Sequence, residues 1–452
     1  MAILNIVNTN GVDNRNIFDN VLDFFNDSAD ILISLPPGRT NFVAYFFADH
    51  TMMTNVVFPS NITNLLNGVF YGCSSLAITQ LPPTISSIGD SCFSRCTSLS
   101  LTYLPSTLTY MANNAFGRCT SLALTSLPSS ISTVLSSYCF NECTSLTLIS
   151  LPSNTINIDY NCFSGCTSLA ITSFPSTLRI IGSSAFLGCT SLSLTSIPSA
   201  ITSIGTSAFM GCTMLAITSI PSSLSSVLQS NAFFGCTSIT QLSISSNITS
   251  IAADAFNGCT SLRLTSFPVN ATTLSMRAFK NCSSLSITAL PTNLITLNEE
   301  VFSGCSSLAL TTLPTNVGYI SSKALYGCTS LTLSSLPTTL TSIQPEAFAG
   351  CTSVAFTSVP SGVTTINIGV FSGCSSISTF SFHSGISVIN NSAFLNCTSL
   401  TLATFLGQPK YIDATVFGGC TNLTTINVPW PSGAVANAPW GATNATITYD
   451  YI

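Results

Sequence analysis

Apolar and polar positions along this chain recur with one spacing, and the cysteines mark it. From Cys73 to Cys420, sixteen cysteines follow one another at 23 residues in thirteen of fifteen steps, and at 24 in the two steps that end at Cys143 and Cys236. Three residues before each stands Phe, from Phe70 and Phe93 to Phe417, with Leu325 the one exception. Ser or Thr follows each cysteine directly, and Leu, Ile or Val comes three residues after it. Nine residues after it comes Pro in thirteen of sixteen units, replaced by Ser245, His383 and Leu406 in the others. The unit reads A-F-x-G-C-T-S-L-x-L-T-S-L-P-S-x-L-T-S-I, followed by a short polar stretch.

A unit of this kind cannot bury its own apolar positions, but a stack of them can, because each covers its neighbour. The piece S-L-x-L-T-S-L-P begins with strand-like alternation. Strands of successive units would pair in parallel, about 4.8 Å apart. Proline ends each strand, since it has no N–H to donate. The short A-F-x-G-C segment predicts a helical or 3₁₀ turn on the opposite side. Phe and Cys would form two buried columns, and the two extra residues would bulge into loops.

Phe47, His50, Phe58 and Pro59 continue the register upstream, and Phe24, Asp27, Leu35 and Pro36 continue it more weakly. The expected organisation is an N-terminal cap over 1–45, a solenoid of about seventeen units over 46–428, and a C-terminal cap over 429–452. Within the first cap, residues 13–25 predict a short amphipathic helix with Asp13 as N-cap. Its Ile17, Phe18, Val21, Leu22 and Phe25 would cover the first unit. The C-terminal segment breaks the repeat, holds both tryptophans, Trp430 and Trp440, and ends in a strand-like ATITYDYI.

Composition narrows the function. Charged residues make up 6% of the chain, against about 25% in ordinary globular proteins. Hydroxyls and amides must therefore cover the surface. The net charge of −5 is thinly spread, with no basic patch for nucleic acid. No apolar run approaches the ~20 residues that span a bilayer, so no membrane insertion is expected. The opening MAILNIVNTNG lacks a basic n-region and a cleavage site, so no signal peptide is expected. The expectation is cytoplasmic synthesis, with a virion or a cell surface as the place of display.

The chemistry of catalysis is sparse. The two histidines, His50 and His383, fall at a cysteine and a proline position of units far apart. Glu299 and Glu300 are adjacent, and in a turn such side chains diverge. Cys92, Cys139 and Cys162 each lie four residues before a repeat cysteine, at the usual Ala position. C-x₃-C suggests zinc, but no second ligand pair follows, and small buried filler explains these residues. Side chains in a ladder point parallel, which favours free thiols over disulfides. No catalytic residue, cofactor or metal is expected. The N-x-S/T sequons are near their chance number in a chain this rich in Ser and Thr.

One column stands out as a candidate contact face. Six residues after the cysteine, Thr recurs at Thr79, Thr102, Thr125, Thr172, Thr195, Thr218, Thr265, Thr288, Thr311 and Thr357. It predicts an uncharged, hydroxyl-rich ribbon in which Arg263 is a lone charge.

The run A-F-x-G-C-T-S-L followed by an apolar-Pro-Ser step, as in residues 185–199, resembles the BspA-like leucine-rich repeats over roughly residues 45 to 430. The resemblance implies a leucine-rich-repeat solenoid with a parallel sheet on one face. It also implies adhesion or protein interaction, often at a cell surface. The expected function is a non-catalytic protein that binds a protein or surface partner through its repeats. A structural component of a virion or filament, with self-association, is the alternative. The low charge motivates it, as does a closing segment that resembles those of repeat proteins in bacterial and prophage genomes. Carbohydrate or ice binding by the Thr ladder is a third, lesser expectation.

Overall fold

A computed structural model describes residues 2–5, 31–34 and 41–451, with side chains over 41–451. The chain forms two compact units, Met1–Ala216 and Ile217–Ile452. Each is a stack of coils, one coil per repeat, joined by parallel pairing between successive coils.

The most regular ladder runs through the T-S-I segment, nine and eight residues before each cysteine. In the first unit, Asn64–Leu65, Ser87–Ile88 and Tyr110–Met111 make one parallel sheet. Val134–Leu135, Asn157–Ile158, Ile180–Ile181 and Ser203–Ile204 make another. In the second unit the same position gives strands from Val227–Leu228 to Tyr411–Ile412, in three short sheets. The second residue of each pair is a buried Leu, Ile or Met, and the first faces out. Two residues per coil suffice, because each strand pairs with a neighbouring coil and its inward side chain reaches the core.

Three breaks interrupt this ladder within the units, after Met111, Leu274 and Ile343. At each, a side chain of the next coil takes over the donation normally made by a backbone N–H. Ser136 Oγ donates to Met111 O at 2.6 Å, Asn298 Nδ2 to Leu274 O at 2.6 Å, and Asn367 Nδ2 to Ile343 O at 2.7 Å. In an unbroken stretch the equivalent residue uses its main chain, as Gly182 N does to Ile158 O at 2.8 Å. Both extra residues of the 24-residue steps fall just before this strand. Ser132-Thr133 and Ser225-Ser226 stand where other repeats have one residue, while Ile131, Leu135, Leu224 and Leu228 stay buried.

The segment expected to carry the sheet, S-L-x-L-T-S-L-P, is a regular strand only in part. Gln241–Ile244, Thr379–Phe382, Leu402–Phe405 and Thr425–Asn427 are strands of three or four residues, and their burial alternates. These coils read L-S-I, F-S-F, A-T-F and I-N-V, with strict period two. The commoner L-T-S-L wording places two polar residues in succession. In the coil after Cys189, Leu194 and Ile197 point in while Thr195 and Ser196 both face solvent. Two outward residues in a row break the pleat, and no strand forms there.

The expected helical or 3₁₀ turns are also absent: among the described residues there is no helix. The A-F-x-G-C segment instead alternates two kinds of hydrogen bond. Ser184, Phe186 and Gly188 donate their N–H groups to Thr206 O, Ala208 O and Met210 O of the next coil, at 2.7–2.9 Å. Leu187 and Cys189 close turns onto Ser184 O and Phe186 O of their own coil. Residues five and one before the cysteine have positive φ, 54° at Ser184 and 70° at Gly188. A helix needs consecutive right-handed residues, so this backbone cannot continue into one.

The core lies inside the coils. Phe70, Phe93, Phe116, Phe140, Phe163, Phe186 and Phe209 are fully buried. The successive rings stack with centroids 5.3–5.7 Å apart and planes within 8°. In the second unit Phe233, Phe256, Phe279 and Phe302 stack likewise, and Leu325 interrupts the column. Every cysteine is buried and free. The thiols of the column donate to the Phe carbonyl one coil back, as Cys189 Sγ does to Phe163 O at 3.0 Å.

Residues 429–451 continue the coil by other means. Thr446–Thr448 pairs in parallel with Thr425–Asn427, and Trp440 O accepts the Phe417 N–H at 2.9 Å. Both tryptophans are buried against Phe405, at 5.3 and 5.9 Å. At the other end, Ala2–Asn5 pairs with Ile31–Ser34, which pairs with Val56–Val57. The helix expected over 13–25, and the weak register at Phe24, Asp27, Leu35 and Pro36, lie outside the described residues.

Candidate functional site

The outward pair in the L-T-S-L segment presents the threonines singled out in the sequence. In the first unit Thr79, Thr102, Thr125, Thr172 and Thr195 are all exposed, and in the second so are Thr218, Thr265, Thr288, Thr311 and Thr357. Within the described residues their hydroxyls have no hydrogen-bond partner. The Thr directly after the cysteine behaves differently. Thr120, Thr144, Thr167 and Thr190 each donate to the carbonyl of the equivalent residue one coil back, at 3.3–3.4 Å. One hydroxyl column therefore serves the stack, and the other is left to solvent or a ligand.

The outer column is not continuous. Ile149 replaces Thr in the first unit and is exposed. In the second unit Leu242, Phe380, Ala403 and Ile426 take this position in the strand-forming coils and turn inward. Beside Thr357 the surface dips into an open hollow of about 440 Å³, with Ser381, His383, Thr404 and Leu406 in its lining. A second hollow, of about 800 Å³, lies on the same segment between Thr54 and Pro83.

The two histidines weighed for catalysis each meet a main-chain partner nearby. His50 Nδ1 meets Ala48 O at 3.0 Å in the first unit. In the second, His383 Nε2 meets Val363 O at 3.0 Å, and Nδ1 accepts from Gly385 N at 3.1 Å. Glu300 binds Lys280 Nζ at 2.7 Å, while Glu299 faces solvent. Cys92, Cys139 and Cys162 are fully buried at the Ala position. Burial pushes the Cys212 and Cys259 thiols of the column up to about 12, so they stay protonated at neutral pH. Among the described residues no three His, Cys, Asp or Glu side chains are grouped to hold a metal.

Sequence reasoning missed where the charges gather. Five residues before the cysteine, successive coils carry Asp254, Arg277, Glu300, Lys323 and Glu346, alternating in sign and all at positive φ. Arg277 Nη2 pairs with Asp254 Oδ2 at 2.9 Å, and Lys323 Nζ with Glu346 Oε2 at 3.6 Å. In the first unit the position just before the cysteine carries Arg95, Arg118 and Glu142 in three adjacent coils. Reading each repeat position as a column would have exposed both groups.

The chain matches the BspA-type leucine-rich repeat region over residues 24–136, 133–236, 226–355 and 318–434. It is similar to a leucine-rich repeat protein from Bacteroides ovatus, with 20% identity and a TM-score of 0.40, covering 93% of this chain and 83% of that one. It is also similar to a leucine-rich cell surface protein from Faecalibacterium prausnitzii, with 20% identity and a TM-score of 0.44, covering 79% and 88%. A T. pallidum leucine-rich repeat protein matches at 25% identity and a TM-score of 0.26, over 46% and 72%. No curated protein matches the chain.

Proposed function

Since the chain belongs to the BspA-type leucine-rich repeat family, we propose that it is a non-catalytic interaction protein that adheres to a protein or cell-surface partner through the exposed face of its coils. The observation that carries this reading is the threonine column six residues after the cysteine, whose hydroxyls are exposed and unbonded, while those directly after the cysteine bond between coils. A single hydroxyl contact is worth about 1 kcal/mol. Repetition along a rigid support sums such contacts through effective concentration. No helix among the described residues is long and apolar enough to cross a membrane.

The test is binding of the purified chain to intact cells and to isolated cell walls. Thr79, Thr102, Thr125, Thr172 and Thr195 are changed together to Lys, and the circular dichroism spectrum is compared to confirm the fold. Loss of binding with an unchanged spectrum is expected. Full binding by the five-fold variant overturns the contact face. Assembly into a virion or filament predicts concentration-dependent self-association, and sedimentation that returns a monomer at all concentrations removes it. Glycan-array and thermal-hysteresis measurements on the same variant separate carbohydrate or ice binding from a protein partner.

A further inference from the structure

The turn face of the first unit holds a feature that the threonine column does not explain. The position just before the repeat cysteine is left-handed and is Gly in eleven of sixteen repeats, because Gly adopts that conformation at no steric cost. Two of the remaining five carry Asn, the side chain that best tolerates it. The other three are the adjacent Arg95, Arg118 and Glu142, at φ 65°, 63° and 56°. These three side chains therefore stand together in a column that is otherwise Gly or Asn.

The arginines flank a notch of about 330 Å³. Ser94, Asn114 and Asn141 line it, and Gly117, beside Asn114, stands where neighbouring coils have Tyr71, Ser94 and Asn141. A Cβ at Gly117 would collide with the Asn114 amide oxygen, so the Gly makes room for that amide in the wall of the notch. Asn114 is held there by bonds from Nδ2 to Ser91 Oγ and Ser94 Oγ, both 3.1 Å. Tyr71 and Tyr138 stand at the two ends. Glu142 takes the fork of Arg118, at 3.2 and 3.3 Å. Arg95 lies over the Tyr71 ring, 5.4 Å from its centroid, and has no carboxylate partner among the described residues.

We infer that this notch binds an acidic sugar residue, its carboxylate on Arg95 and its ring against Tyr138. A guanidinium matches a carboxylate in a planar, two-bond geometry. The exposed Tyr138 ring suits the C–H face of a sugar ring, and the Asn amides suit its hydroxyls. The volume is that of a small-ligand site. An acidic peptide fits less well, because the backbone N–H groups here are spent between coils: Arg95 N on Gly117 O at 2.8 Å and Arg118 N on Asn141 O at 2.6 Å. No main-chain edge is left for a peptide to pair with. The inference does not depend on the threonine column.

The experiment is calorimetric titration of the full chain with oligogalacturonic acid and with sialyllactose. Their methyl esters and a poly-glutamate peptide are the comparisons. Saturable binding of an acidic sugar is expected, weakened about tenfold or more by methyl esterification, by Arg95→Ala and by Gly117→Ala. Glu142→Gln releases Arg118 and should tighten binding. The five-threonine variant should bind the sugar as the parent does. No saturable binding of either sugar up to millimolar concentration overturns the proposal. So does binding that Arg95→Ala leaves unchanged, or equal binding of the peptide.

Discussion

Phe186 lies flat between Phe163 and Phe209, 5.5 Å from each ring and fully buried. Phe186→Ala removes a ring that the coils above and below cannot collapse to replace. The expected cost is about 3–5 kcal/mol, read as a lower denaturant midpoint. The Asp254–Arg277 pair gives a second residue-scale expectation. Burial pushes the Asp254 carboxyl up, but hydrogen bonds from Arg277 and Asn257 and the charges of Arg277 and Lys280 outweigh it and hold it below the ordinary carboxylate range. A depressed carboxyl stabilises the fold above its unfolded value, about 4, and loses that contribution as pH falls through its folded value. Thermal midpoints measured below pH ~4 should therefore drop, and the drop should be smaller in Arg277→Gln, which is also about 1–2 kcal/mol less stable at neutral pH. The buried columns were legible in the sequence, because every coil needs the same Phe and Cys. The left-handed backbone was legible only in part: the Gly before the cysteine signals it, but the position five before the cysteine holds mostly Ser, Asn, Tyr, Asp, Arg, Lys and Glu, whose identities do not reveal a φ angle.

At the scale of elements, the choice of strand was decided by where two polar residues fall together. L-S-L-T-S-I at residues 192–197 alternates first and then pairs its polar residues, whereas I-T-Q-L-S-I at 239–244 pairs them first and keeps period two to its end. The sheet face was placed on this segment because its start alternates. The more regular ladder lies on T-S-I, too short for periodicity to reveal. Its pairing comes from the stack, not from the local wording. The three interruptions in that ladder were equally hidden, since Ser136, Asn298 and Asn367 sit at a position that elsewhere holds Gly, Ala, Ser, Asp, Gln, Leu66 and, with no interruption, Asn390. Asn298→Ala deprives Leu274 O of its donor and should cost about 1 kcal/mol. Chemical denaturation of the variant beside the parent measures it. An unchanged midpoint would mean that the backbone N–H of residue 298 closes the gap.

At the scale of the molecule, stability is carried by contacts between neighbouring coils, so the natural unit of change is a whole coil. Removal of Thr167–Cys189, one 23-residue period, joins Cys166 to Thr190 and keeps every column in register. That deletion should leave a cooperative fold with a modestly lower melting point. Removal of residues 167–178 throws Phe and Cys positions out of line and should abolish it. Differential scanning calorimetry separates the two outcomes. The boundaries 1–45, 46–428 and 429–452 are retained as a proposal, with Trp430 and Trp440 closing the last coil. The buried thiols carry a further consequence for a protein of this build. Folded, nineteen cysteines are sealed from oxidants. Unfolded, all of them return to a pKa near 8.5, at which thiolates form and exchange readily. Any wrong pairing then locks the coils out of register. In an oxidising setting, unfolding becomes a one-way door, and the lifetime of this protein is set by how rarely its stack opens.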